Sequence, residues 1–366
     1  MNPQRFHEIT GAYPNLRIGI VGDFCLDRYL EIDPEKEETS IETKLPVHNV
    51  IRVRSQPGAA GTILNNLVAL GVGAIFPIGF HGEDGEGFEL SRALAGMRGV
   101  RLNHFLRASE RRTFTYTKPL LVRSGKAPQE LNRLDFKNWT PTPEETRRQL
   151  SASLEELAPN LDALIVMDQV DIAETGVVTT PLLRTVGRLA EAYPSLFCIA
   201  DSRRGLRGFP KVCYKMNLSE LGALWTSFQR RDRGAEGFAN DSVQPSGTPE
   251  TQPSAEDIAA RTAEVARQNG KGAFVTLAEQ GMIGSLADGA AVHIPSLPIR
   301  GEIDIVGAGD SVTANLAAAF AAGSTLSEAL QLAMAAASEV IHQLGTTGTA
   351  SINQIGRLLR VADPAP

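Results

Sequence analysis

The sequence predicts an α/β layered fold around a mainly parallel sheet. Short apolar runs of strand type alternate with amphipathic helical patterns along most of the 366 residues. The strand-like runs are apolar at successive positions, as in strands covered on both faces. The chain is long enough to bury one large α/β core with a small accessory element. The expected organisation is one domain over residues 1–366.

Arg17–Val21, Ala74–Ile78, Ala163–Met167, Phe197–Ala200, Val212–Met216 and Ala273–Thr276 read as buried strands. Between them Gly61–Leu70, Phe88–Met97, Pro143–Leu157, Pro181–Ala192 and Glu256–Gln268 read as helices. The last long helix opens on Thr325-x-x-Glu328, a capping box, and Gly345 fits its C′ position. Leu330, Met334, Ala337 and Ile341 repeat along it at core spacing. Two segments, 29–57 and 104–136, break the alternation with β-type patterns such as Val50–Val53 and Thr113–Thr117. They suit a small antiparallel sheet beside the main one. Residues 227–254, rich in Arg, Gly, Pro, Ser and Thr, read as a flexible surface insertion.

Composition narrows the function classes. The chain is 42% hydrophobic and 21% charged, with net charge −6 and pI about 5.6. No Lys/Arg block stands out, so no nucleic-acid partner is expected. No apolar run is long enough to span a membrane, and Met1–Leu16 shows no apolar leader region. Cys25, Cys198 and Cys213 are unclustered, as in a reduced cytoplasmic protein.

The most informative motif is Asp304-Ile-Val-Gly307-Ala308-Gly309-Asp310-Ser311, running into a small-residue helical stretch. Glycines let backbone N–H groups approach an anion, and a helix start adds its positive dipole end. Asp310 places a carboxylate beside that anion pocket, where a substrate hydroxyl can hand over its proton. A plain chain reversal would use the same glycines. Upstream, Gly22-Asp23-Phe-Cys-Leu-Asp27-Arg28-Tyr29 follows the first strand, where open α/β sheets bind ligands. Asp23 and Asp27 suit sugar hydroxyls, and Arg28 suits a phosphate or carboxylate; turn capping and solvation are the plain alternatives. Gly58-Ala59-Ala60-Gly61-Thr62 opens a helix bearing Asn65 and Asn66, for close ligand approach or for tight helix–sheet packing. Asn217 and Glu220 share one face of a helix start, offering oxygens to Mg²⁺ or simply capping the helix. Thr276 and Gly281 border a strand–turn–strand that could line a nucleotide. His81 lacks partners and reads as structural, in a turn feeding a helix.

In their order these motifs resemble those of the ribokinase-like (PfkB) sugar kinases. Gly-Asp-x-x-Leu-Asp-Arg-Tyr, Pro-Gly-Ala-Ala, Gly-x-x-Gly-x-Asp, Arg133-Leu-Asp135-Phe, Asn-Leu-Ser-Glu, Glu-Gln-Gly-Met and Gly-Ala-Gly-Asp span Arg17 to Leu359. The chain looks closest to the D-glycero-β-D-manno-heptose 7-phosphate kinases, on Val21–Tyr29, Asn217–Glu220, Glu279–Met282 and Gln343–Thr346. The resemblance implies a three-layer α/β/α core with a β-sheet lid that can serve as a homodimer contact. It implies Asp310 as catalytic base and the amides of Gly307, Ala308 and Gly309 as anion hole. Asp23, Asp27, Arg28, Gly58, Ala59, Thr62, Asn66 and Arg123 would face the sugar or sugar phosphate. Asn217, Glu220, Thr276 and Gly281 would hold ATP, with Glu220 and Asp304 near Mg²⁺ and a monovalent cation.

Several positions depart from the family pattern. Thr62 stands where a sugar-contacting Asn is common, Ala59 where a second Gly is common, and Val306 replaces the usual Thr. Arg123 is in register with a basic lid position whose neighbouring Lys is here Leu121. These changes bear on the sugar and leave the phosphoryl-transfer residues in place. The nucleotidyltransferase domain that follows the kinase in bifunctional heptose enzymes is not expected before Pro366. The expected function is ATP-dependent phosphorylation of a sugar or sugar-phosphate hydroxyl, with heptose 7-phosphate as first acceptor. Another sugar or nucleoside kinase of this fold, or a catalytically weak binding relative, is the alternative. A dinucleotide oxidoreductase is disfavoured, because the Ile20–Asp23 turn lacks GxGxxG.

Overall fold

The computed structural model describes residues 1–232 and 253–361. Nine strands form its main sheet, in the spatial order Val292–Ile294, Met282–Ser285, Ala273–Thr276, Cys213–Asn217, Phe197–Ser202, Ala163–Asp168, Arg17–Gly22, Ala74–Gly82, Phe105–Ala108. Pairing is parallel from Ala273–Thr276 to Phe105–Ala108, and the two strands at the other edge close it antiparallel.

Side-chain alternation builds the layers. Ile18, Ile20, Ala163, Ile165 and Met167 enter one apolar cluster. Val21, Leu164 and Val166 enter the other. A strand apolar on both faces must be covered on both. The first cluster is completed by helices Ala60–Ala69, Ala308–Ala321 and Leu326–Val340. The second is completed by Glu144–Leu157, Thr180–Ala192, Leu218–Asp232 and Ala255–Asn269. Small residues let Ala308–Ala321 lie deep: every side chain from Ser311 to Ala319 is buried.

The accessory sheet pairs Phe24–Ile32 antiparallel with Val50–Ala59 and parallel with Thr115–Leu121; the latter pairs antiparallel with Leu134–Phe136 and Gln129–Glu130. It is therefore mixed, not antiparallel as expected. Phe105–Ala108, assigned from sequence to this sheet, instead extends the main one. Its Phe105 ring packs edge-on against Phe24 at 5.2 Å. Gln56 Nε2 donates to Thr347 Oγ1 at 2.7 Å and ties the accessory sheet to the core.

Other expectations shift in detail. Only Asp23 separates Arg17–Gly22 from Phe24–Ile32, so Asp27 and Arg28 lie inside a lid strand and not in a loop. Gly79–Gly82 continues a strand where a turn was expected. The Thr325/Glu328 capping box forms, but the helix caps at Ile341, and Gly345 (φ 70°) belongs to the following turn. Residues 227–232 finish a helix, and Ser254 caps the next one. The remainder of the 227–254 insertion, 233–252, lies outside the described residues. No described helix is long and apolar enough to cross a membrane.

Candidate active site

The C-terminal ends of the parallel strands gather Asp23, Asp168, Asp201, Lys215 and Asn217 at one edge of the sheet. Helix Ala308–Ala321 starts there, with Gly307 at φ 85° as its N-cap. A side chain at that φ is strained. Helix starts leave their first N–H groups without internal partners. Here the Ala308 N–H turns back to the Ile305 carbonyl at 3.2 Å, which leaves the Gly309 and Asp310 amides in the first turn. Asp310 is half-buried, and among the described residues nothing donates to its carboxylate. Burial first, and then the Asp201 charge, push its carboxyl up to about 7; Lys215 opposes this and Asp27 adds slightly to it.

Lys215 was not anticipated from the sequence. Its ammonium lies 2.8 Å from Asp201 Oδ2. The Thr313 hydroxyl is 3.1 Å from the same oxygen and 3.1 Å from the Gly309 carbonyl. A Cβ on Gly309 would sit 2.9 Å from Lys215 Nζ, so glycine admits the ammonium to the helix start. Burial works against the charge, but Asp201 outweighs it and holds the ammonium above its ordinary range. A lysine inside the apolar strand Cys213–Asn217, just before Asn-Leu-Ser-Glu, was the available signal.

A cavity of about 630 Å³ opens on this helix start, lined by Asn217, Thr276, Gly281, Ile305, Gly309 and Ser338 among others. Its walls are largely aliphatic, as suits a flat heterocycle. Asn217 N–H donates to Glu220 Oε2 at 2.8 Å, and Glu220 N–H donates to Asn217 Oδ1 at 2.9 Å. This reciprocal cap is the plain alternative raised by the sequence, and it leaves Glu220 Oε1 unpartnered among the described residues. Burial raises the Glu220 carboxyl above its usual range. The Thr276 hydroxyl points to the Met216 carbonyl at 3.4 Å. Gly281 (φ 94°) is needed by its own neighbours, because a Cβ there would meet the Ile294 carbonyl oxygen at 2.1 Å. Both Asp304 oxygens accept backbone N–H groups, from Val306 and Gly345, each at 3.1 Å.

On the opposite side the sequence candidates separate. Asp23 is fully buried and accepts N–H groups of Val177 (2.7 Å), Gln169 (2.9 Å) and Val170 (3.2 Å). Those three bonds take most of its acceptor sites in tying distant backbone to the end of the first strand. Asp27 has no donor among the described residues, and its Oδ2 would lie 2.5 Å from a Cβ on Gly58. Burial raises the Asp27 carboxyl, with Lys118 and Arg133 opposing. Arg28 is spent on Glu89 (2.7 Å) and Glu86 (3.4 Å). Ala59 adopts φ 53° as cap of helix Ala60–Ala69, a conformation that favours glycine. Thr62 is buried, its methyl facing the Gly307 turn. Asn66 is also buried and donates to the Thr62 carbonyl at 3.0 Å. Arg123 lies exposed at the lid tip, beside Gln129 at 3.4 Å.

Residues 215–353 match the profile of the pfkB family carbohydrate kinases, a span that holds Lys215, Asn217, Glu220 and the Gly307–Asp310 turn. That match covers 139 of the 366 residues, in the C-terminal half of the chain. Over 348 residues it is 28% identical to the "Bifunctional protein HldE" of Bradyrhizobium sp., covering 94% of this chain and 64% of that protein. With the Azorhizobium caulinodans protein of the same name it shares 30% over 330 residues, covering 90% and 61%. The chain thus spans a little under two thirds of these relatives. Its fold is ribokinase-like. An Arabidopsis thaliana ribokinase solved with ribose and ATP superposes at TM-score 0.65 with 18% identity, over 95% of this chain and 99% of that one. Escherichia coli phosphofructokinase-2 with fructose-6-phosphate gives 0.63 and 18%, over 94% and 98%.

Proposed function

We propose that this protein is a pfkB-type kinase that transfers the γ-phosphoryl group of ATP to a hydroxyl of a phosphorylated sugar, with a heptose 7-phosphate as the first acceptor to test. One observation carries the reading. An unpartnered Asp310 carboxyl stands at a glycine-flanked helix start, between an apolar cavity sized for a nucleotide and the unpartnered Asp27. In this reading the cavity binds the adenosine, the Gly309 and Asp310 amides meet the phosphates, and Asp27 fixes the acceptor. Asp310 takes the hydroxyl proton, a role suited to a carboxyl raised to about 7. Lys118 and Arg133, the cations acting on Asp27, favour an acceptor that carries its own phosphate.

Mg²⁺ fits the donor set in a limited way. Among the described residues no three His, Cys, Asp or Glu groups converge to hold a metal. Mg²⁺ commonly keeps waters and binds through substrate phosphates with one or two carboxylates, and the open Oε1 of Glu220 suits that. When bound it would neutralise charge on the nucleotide phosphates. Asp304 is committed to two amides and suits shaping a monovalent-cation loop better than contacting Mg²⁺. Exposed Ile51, Val53, Leu134 and Phe136 on the lid favour a second copy of this chain as partner. A cytoplasmic site of action accords with three free, buried cysteines.

The test is incubation with ATP and Mg²⁺ across heptose 7-phosphate, other sugars, sugar phosphates and nucleosides, with ADP and phosphorylated product measured by mass. Product with one acceptor class identifies it. ATP binding without product from any acceptor would leave a nucleotide-binding relative and end the kinase reading.

A further inference from the structure

We infer that Lys215, anchored by Asp201 and Thr313, is a catalytic residue that places an ammonium on the phosphoryl group in transit. The inference rests on the phosphoryl-transfer reading above and adds to it a cation supplied from the sheet.

A buried lysine–aspartate pair is often only structural, and apolar side chains of similar volume commonly replace such pairs without loss. Three features set this one apart. First, an ammonium has three N–H donors, and Asp201 is the one partner of Lys215 among the described residues. Two donors remain in a side chain that is 9% exposed. Second, the ammonium sits where a Cβ of Gly309 would intrude, beside the first-turn amides that can bind an anion. Third, Asp201, Asp310 and Glu220 all act on its charge, yet only Asp201 touches it. A cation among several acids, with donors to spare, suits an incoming anion better than it suits packing.

The step balances as follows. The acceptor oxygen forms a bond to the γ-phosphorus, and its proton passes to Asp310. The bond from the γ-phosphorus to the bridging oxygen breaks, and ADP leaves with that electron pair. Negative charge on the transferring oxygens is met by the Gly309 and Asp310 amides and by Lys215 from the strand side. Asp201 keeps the ammonium charged and, through Thr313, fixes it to the same helix that carries the amides.

Calorimetric titration with ADP and with a non-hydrolysable ATP analogue tests the contact without needing an acceptor. It is run on wild type, Lys215→Met and the double variant Lys215→Met/Asp201→Asn, which removes the buried charge left behind and protects folding. In both variants ADP affinity should stay within about threefold, while the analogue weakens by at least about tenfold. Turnover should fall about 10²–10³-fold, as when one preorganised transition-state donor is removed. Added ethylammonium should restore part of the activity of Lys215→Ala. Equal weakening of ADP and analogue, or unchanged turnover in a folded variant, overturns the inference. If wild type phosphorylates nothing but the Lys215 variants lose affinity for the analogue and not for ADP, the kinase reading fails and the γ-phosphate contact stands.

Discussion

The nucleotide side and the acceptor side of this site are built by different means. On the nucleotide side, Lys215, Asn217, Thr276 and Gly309 come from strand ends and helix starts of the main sheet, and each borders the cavity or the anion-binding turn; Glu220 is paired to Asn217 there. On the acceptor side, most polar candidates are already engaged by the protein, although Arg28 Nε and Asn66 Oδ1 stay unpartnered among the described residues. Asp23 holds three amides, Arg28 holds two glutamates, and Asn66 holds a helix carbonyl. Asp27 is the carboxylate among them left without a donor, and Asn66 Oδ1 is likewise buried and unpartnered among the described residues. Buried polar groups are usually paired, so a carboxylate with no partner in the protein is the candidate for a ligand contact that the proposed function needs. Asp27 and Asp310 are both unpartnered carboxylates, and the Asp27 charge adds slightly to the raised Asp310 carboxyl.

The largest expected effect falls on the base between the two sides. Asp310→Asn keeps the shape and removes the base, so turnover should fall about 10²–10⁴-fold while analogue binding persists. A variant with near-normal turnover would remove Asp310 from the mechanism. The wild-type rate should rise with pH through about 7, where this carboxyl ionises. Stability has the opposite sign. A carboxyl raised by burial favours the protonated folded state, so ionisation weakens the fold as pH rises from the ordinary carboxylate range to about 7. Asp310→Asn should therefore melt higher than wild type at pH 8, and the gap should close towards pH 4. An equal gap at both pH values would mean that the carboxyl is not strained by burial.

Asp27→Ala comes next. Loss of an acceptor-facing carboxylate should weaken sugar binding by about 1–3 kcal/mol, read as a raised acceptor KM, with nucleotide affinity unchanged. A changed nucleotide affinity would show that the two sides are not separable.

Asp23→Ala should instead show in the melting temperature. Hydrogen bonds to a charged group contribute about 1.5–3 kcal/mol each, less when they share one acceptor. Stability should fall by at least that much for the set, with acceptor KM near normal in whatever enzyme remains folded. An acceptor KM raised as far as in Asp27→Ala, with the melting point intact, would return Asp23 to the sugar site.

This pair shows what was legible in the sequence. Strand–helix alternation, the Gly-Ala-Gly-Asp helix start and the Asn-Leu-Ser-Glu cap depend on local spacing, and spacing can be read directly. Whether Asp23 or Asp27 faces the ligand depends on amides at Gln169, Val170 and Val177, far along the chain. Lys215 was overlooked because its meaning comes from Asp201 and Gly309, which only the folded sheet brings near. The mixed pairing of the lid was hidden for the same reason. Phe24–Ile32 meets Thr115–Leu121 in parallel across a long crossover, and no local turn announces it.

The smallest effect sharpens the comparison at Arg28. It follows Asp27 directly, but its guanidinium is half-exposed and turned to Glu86 and Glu89, across the lid strand from the acceptor. Part-exposed ion pairs contribute about 0–1 kcal/mol. Arg28→Gln should therefore cost no more than about 1 kcal/mol in stability and leave acceptor KM close to wild type, because Gln keeps much of the stem and can still donate to one glutamate. Glu89 also accepts from Ser55 on the neighbouring lid strand at 2.7 Å, so part of the network survives the substitution. High salt should shrink the difference further, since screening weakens exposed pairs first. Should Arg28→Gln raise the acceptor KM by tenfold or more (about 1.4 kcal/mol), the guanidinium must leave its glutamates to meet the sugar. The acceptor side would then be assembled by the ligand, unlike the preformed nucleotide side.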